Sequence, residues 1–220
     1  MLIHPWDAAQ DEAEWQSWLA SIEHFGLLAI PNLEPHAAPF MVPTHFTLAG
    51  DELLLHLARP NPVWPHLEAA REVRLALVGD VAYVPSYWRA AEGAPEEQGV
   101  PTSYYASVQF VCRPTIVDDA DGKAAILQAQ LEDVQPEGRH AAMATDAEPY
   151  GRMLPGIRGL QLRVLRVEAK FKYDDHKPVE FREHIIDLLD ARGRRGDRGA
   201  ARQQQRRLDT MGDWQAHRQI

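Results

Sequence analysis

The residues best placed to do chemistry lie in the run LHLARPNPVWPHL, from Leu55 to Leu67. An apolar strand-like stretch there ends in a loop that gathers His56, Arg59 and Asn61, and a helix is expected to follow at once. Asn61 is suited to cap that helix and Pro62 to its first turn, where a missing N–H costs nothing. The free N–H groups of a helix start beside His56 and Arg59 would seat a phosphate. The plainer reading is an ordinary strand-to-helix connection carrying a solvated arginine.

Other chemistries find little support. The ten histidines contain no His-Glu-x-x-His, and His36, His45, His56 and His66 stand on separate segments without carboxylates at metal-ligand spacing. No nucleophile elbow, Walker loop or dinucleotide-binding glycine fingerprint occurs. Cys112 is the single cysteine, so an internal disulfide is impossible, and its setting in VQFVCRP reads as a small core residue.

Composition limits the partners. The chain has 220 residues, is 45% hydrophobic and carries a formal net charge of −9, as a globular domain with one substantial core would. An acidic body repels nucleic-acid phosphates, so only the segment RGRRGDRGAARQQQRR from Arg192 offers concentrated positive charge to DNA or to a protein partner. Gly193, Gly196 and Gly199 should break that segment into a hinge before a final helix. No run reaches membrane-spanning length and the acidic N-terminus lacks a signal-peptide pattern, which together imply a cytoplasmic protein.

The elements that must position these groups are mixed. Asp11–His24 spaces Trp15, Trp18, Leu19 and Ile22 as an amphipathic helix. Short apolar or alternating runs at 26–30, 38–48 and 52–58 read as strands, the last two joined by a hairpin through Ala49, Gly50 and Asp51. Further strands are expected at 73–78, 81–84, 104–116 and 159–171, with a helix over 119–131 and weak helical turns over 135–150. The polar stretch from Arg89 to Gly99 reads as a surface loop. Many short strands without a βαβ rhythm predict an α+β protein built on an antiparallel barrel-like sheet with flanking helices.

The succession PFMVPTHFTL, LHLARPNPVW, LVGDVAYVPSYW, VPTSYYASVQ and LPGIRGLQLRVLRVEAKFKYDDHKP resembles the PaiB-like family, FMN-binding negative transcriptional regulators of the flavin split-barrel superfamily. The His-x-Ala-x-x-Asn-Pro-x-Trp pattern at His56, Ala58, Asn61, Pro62 and Trp64 is its most specific element. The resemblance implies a split barrel over residues 1–172 and a helical, arginine-rich extension over 173–220. It also implies a homodimer and an FMN cofactor lined by Thr44, His45, His56, Arg59, Asn61, Tyr83, Ser86, Trp88 and Thr102. A regulatory role follows from it, and the alternative is an FMN-dependent oxidoreductase acting with NAD(P)H on a small substrate. The chain departs from the family pattern at Ser103, Tyr104 and Gln109, and at Asp174 and Asp175, where the family has Ser-Gln. Two carboxylates there would either repel a flavin phosphate or face solvent as a turn or cap before the next helix.

Overall fold

The computed structural model describes residues 1–91 and 93–211. Glu92 of the expected surface loop and the last nine residues of the expected extension lie outside the described residues. Among the described residues seven strands form one sheet: β1 Phe25–Ile30, β2 Phe40–His45, β3 Thr47–Ala49, β4 Glu52–Ala58, β5 Val73–Val84, β6 Thr102–Val117 and β7 Ile157–Lys172. Their order is β2-β1-β5-β6-β7-β4-β3, and the pairing is antiparallel as expected. Among the described residues six α-helices accompany it: α1 Glu12–Ala20, α2 Trp64–Ala69, α3 Ala120–Val134, α4 Tyr150–Met153, α5 Val179–Arg192 and α6 Asp197–Met211.

Two compact units share the chain. The first comprises 1–22, 78–108 and 168–220, the second 23–77 and 109–167, so β5, β6 and β7 each contribute residues to both. In the second unit the alternation of β4 buries Leu53, Leu55 and Leu57, and Leu160 and Leu162 of β7 join them in register. Cys112 is buried here, and burial pushes its thiol pKa up to about 12, as an inert core residue requires. In the first unit Trp18, Tyr104, Phe171 and Tyr173 form an aromatic core, with Trp18 edge-on to Phe171 and Tyr104 edge-on to Tyr173.

Local chemistry explains the element ends. Asp11 accepts the Glu14 N–H at the start of α1, and Asp119 accepts the Gly122 N–H at the start of α3. Gly193 takes the left-handed conformation that closes α5, which makes the expected hinge before α6.

Four expectations are corrected. The strands expected at 73–78 and 81–84 are one strand, β5, which runs unbroken through Gly79 and Asp80 although Asp80 takes a φ of 50. No helix occupies 135–149, a stretch whose weak periodicity offers no apolar stripe to bury. The helix after β4 begins at Trp64 with Val63 as its cap residue, and Asn61 instead accepts the Val63 N–H in a local turn. Pro65, not Pro62, occupies the first helical turn. Finally, Asp174 and Asp175 do not face solvent; both are buried.

Candidate functional site

In the second unit, the residues that the sequence marks for phosphate binding are already engaged. Arg59 donates from Nε to the Pro155 carbonyl at 2.7 Å and from Nη2 to the Ile157 carbonyl at 3.2 Å, with Asp118 at 3.4 Å. Arg158 grips Asp118 through two nitrogens and lies 4.8 Å over the Trp64 ring. That grip holds the Asp118 carboxyl below the usual carboxylate range, through the Arg158 hydrogen bond above all. His56 meets the Gln130 amide oxygen through Nδ1 at 2.7 Å. Thr44 is buried and donates to the His45 carbonyl, while exposed His45 pairs with Glu23 and packs edge-on to Phe25. With a helix of only six residues behind Asn61, this region is a tightly tied strand-to-helix connection.

The first unit holds a different arrangement. Period-two alternation turns Phe171 and Tyr173 of the β7 end into the aromatic core and leaves Lys170 and Lys172 to flank Tyr105 of β6. The two ammonium groups sit 5.7 and 5.9 Å from the Tyr105 ring centre. Lys172 Nζ donates to Thr102 Oγ1 at 2.6 Å and to the Ser103 carbonyl at 2.9 Å. Among the described residues no carboxylate lies within ion-pairing distance of Lys172, and burial lowers its pKa despite the fields of Asp174 and Asp7. Lys170 is committed elsewhere, to the Leu2 carbonyl at 2.9 Å and to Asp7 at 3.6 Å.

The remaining expected residues of this unit surround a short turn. Tyr83 on β5 is 56% exposed. Ser86 opens the turn at Ser86–Trp88, and the Trp88 ring is covered by the Arg192 guanidinium at 4.5 Å. Arg192 is held in place by two hydrogen bonds to Asp197.

Asp174 and Asp175 explain the departure from the Ser-Gln pattern. Asp174, at φ 58, pairs with Arg89 of the polar loop and accepts the Tyr104 hydroxyl at 3.0 Å. Asp175 accepts Arg182 at 2.7 Å and Arg207 at 2.5 Å, and Arg207 reaches Glu14 at 2.6 Å. The carboxylates are therefore counter-charges for buried guanidinium groups, and Tyr104, another departure, belongs to the same network. Lys172 stands outside the residues that the sequence marks for a ligand although the Lys-Phe-Lys alternation is visible there, and nothing local marks Arg89 as the partner of Asp174.

Residues 1–166 match the family model described as "Putative FMN-binding domain". The chain belongs to that family. No curated protein matches it. Solved structures with a similar fold include a flavocytochrome from Azotobacter vinelandii, 16% identical, covering 76% of this chain and 70% of its own, with a TM-score of 0.57. A FAD and heme binding protein from Mycobacterium smegmatis matches equally well, at 16% identity, 75% and 73% coverage and a TM-score of 0.57. The fold is accordingly the α+β split barrel of flavin-binding proteins. Among the described residues no helix is long and apolar enough to cross a membrane, and no group of three or more His, Cys, Asp or Glu could hold a metal ion.

Proposed function

We propose that this protein binds FMN and that Lys172, with Thr102, receives the flavin phosphate. The observation that carries this reading is the half-buried Lys172 ammonium, which has a hydroxyl and a carbonyl partner but no neutralising carboxylate in contact. Such a cation favours an anion beside it, because a phosphate would restore the charge balance that burial disturbs. Tyr105 walls one side of the ammonium group, and the exposed Tyr83 ring and the Ser86 hydroxyl offer a stacking surface and a donor. Bound FMN would supply one- or two-electron redox chemistry. The chain's own part is to bind, orient and shield it.

The family supports FMN, and the resemblance to PaiB-like proteins favours a regulatory homodimer in which the flavin acts as a ligand. The flavin and heme proteins that share the fold favour a second reading, an FMN-dependent oxidoreductase using NAD(P)H. Titrating the purified protein with FMN tests the common claim: flavin fluorescence should quench to a one-to-one endpoint per chain, and no quenching at micromolar protein would overturn it. Adding NADH or NADPH under anaerobic conditions then separates the two readings. Loss of the flavin absorption band supports the oxidoreductase, and an unchanged band supports the regulator.

A further inference from the structure

Six arginines of the C-terminal segment divide into two sets. Arg192 is paired with Asp197, Arg206 with Glu14, and Arg207 with Glu14 and Asp175. Arg195, Arg198 and Arg202 are exposed and, among the described residues, have no carboxylate within ion-pairing distance. Their spacing of three and four residues sets them along one side of α6 and the turn before it. That side faces a hollow of about 620 Å³ whose other wall is Val78–Val81 of β5.

The hollow has a built floor. Gly196 stands at φ 94, and a Cβ there would lie 2.1 Å from the Val81 carbonyl oxygen; a Cβ on Gly199 would lie 2.1 Å from Asp80 Oδ1. Only glycine at these two places lets the α6 backbone come so close to the strand. Asp80, the one carboxylate lining the hollow among the described residues, is fastened by the Trp18 indole N–H at 3.0 Å. Three guanidinium groups against one carboxylate give the lining a formal charge of +2 in a protein whose total is −9.

We propose that this hollow binds the phosphate group of a small phosphorylated ligand, at a site separate from the one assigned to flavin. A compact dianion matches the local charge, and guanidinium forks bind phosphate oxygens in pairs. A long polyanion fits less well, because it would also meet the acidic remainder of the molecule. None of the lining residues takes part in the Lys172 cluster, so the proposal stands without the flavin reading.

The test uses the full chain and inorganic pyrophosphate as the probe. Calorimetry at low ionic strength should show one site per chain, and backbone amide shifts should centre on Val81, Gly196 and Gly199. R198Q and R202Q should each weaken binding about tenfold, while circular dichroism and the melting temperature, unaffected by loss of exposed unpaired side chains, report an intact fold. Unchanged affinity in the R195Q/R198Q/R202Q triple variant would overturn the proposal. Shifts centred on Lys172 and Thr102 would overturn it as well, by assigning the anion to the flavin site. So would a short DNA duplex that binds this face without being displaced by pyrophosphate.

Discussion

Arg207 donates to the buried carboxylate of Asp175 at 2.5 Å, and both side chains are wholly withdrawn from solvent. The pair joins the β7 end to α6, and Arg182 on α5 and Glu14 on α1 complete the network. The arginine-rich segment is thereby part of the core of its unit. Breaking a buried pair by removing one partner strands the other charge, so Arg207→Ala should cost about 3–5 kcal/mol of stability. Urea denaturation of the variant measures it, and a loss below about 1 kcal/mol would contradict the network's role.

Lys172→Gln should reduce FMN affinity by about tenfold or more, the cost of a charge-assisted hydrogen bond of roughly 1.5–3 kcal/mol. Thr102→Ala, which removes a neutral hydroxyl, should do less. Fluorescence titration reports both, and equal affinities for wild type and Lys172→Gln would remove the lysine from the site.

Gly196→Ala should destabilise the protein by about 2 kcal/mol or more, since a methyl group cannot share space with the Val81 carbonyl and the positive φ adds strain. Gly50, also at positive φ but with open space around it, should tolerate alanine better. Thermal melts of the two variants give the comparison.

Asp118 sets a pH dependence. Its folded pKa is depressed by Arg158, so its contribution to stability is present above its unfolded pKa near 4 and disappears as pH falls through the folded value. Asp118→Asn should lower stability slightly at neutral pH and flatten the profile below about pH 4, so that variant and wild type converge in acid. The side chain is about half exposed, which keeps the effect small. Chemical denaturation across pH 2.5–7 is the measurement.

Homodimerisation should use the outward side of β1 and β2. Phe25, Leu27 and Met41 are 48%, 37% and 50% exposed, and the ladder sets Leu27 opposite Pro43 and Ala29 opposite Met41. A specific interface of more than about 1,000 Å² would cover them. Light scattering should give a dimer mass that Leu27→Glu halves; a wild-type monomer at micromolar concentration would refute the assembly.

Local sequence determined a good deal here. Alternation along β4 and the glycine at 193 act over a few residues, so that strand, the helices beginning near Asp11 and Asp119 and the hinge before α6 were legible in the sequence, whereas the start of α2 and the continuity of β5 were not. The antiparallel α+β class followed from strand spacing. What only the tertiary structure decided is where the charges go. Whether Arg59 is free or held by the Pro155 and Ile157 carbonyls depends on residues nearly a hundred positions away. Whether Asp175 repels a phosphate or neutralises Arg207 depends on how α6 returns to the β7 end, a long-range pairing that leaves no local periodicity to read. The same return separates arginines spent on carboxylates from those left facing the hollow beside Val81, because burial permits a charge only where an opposite one meets it.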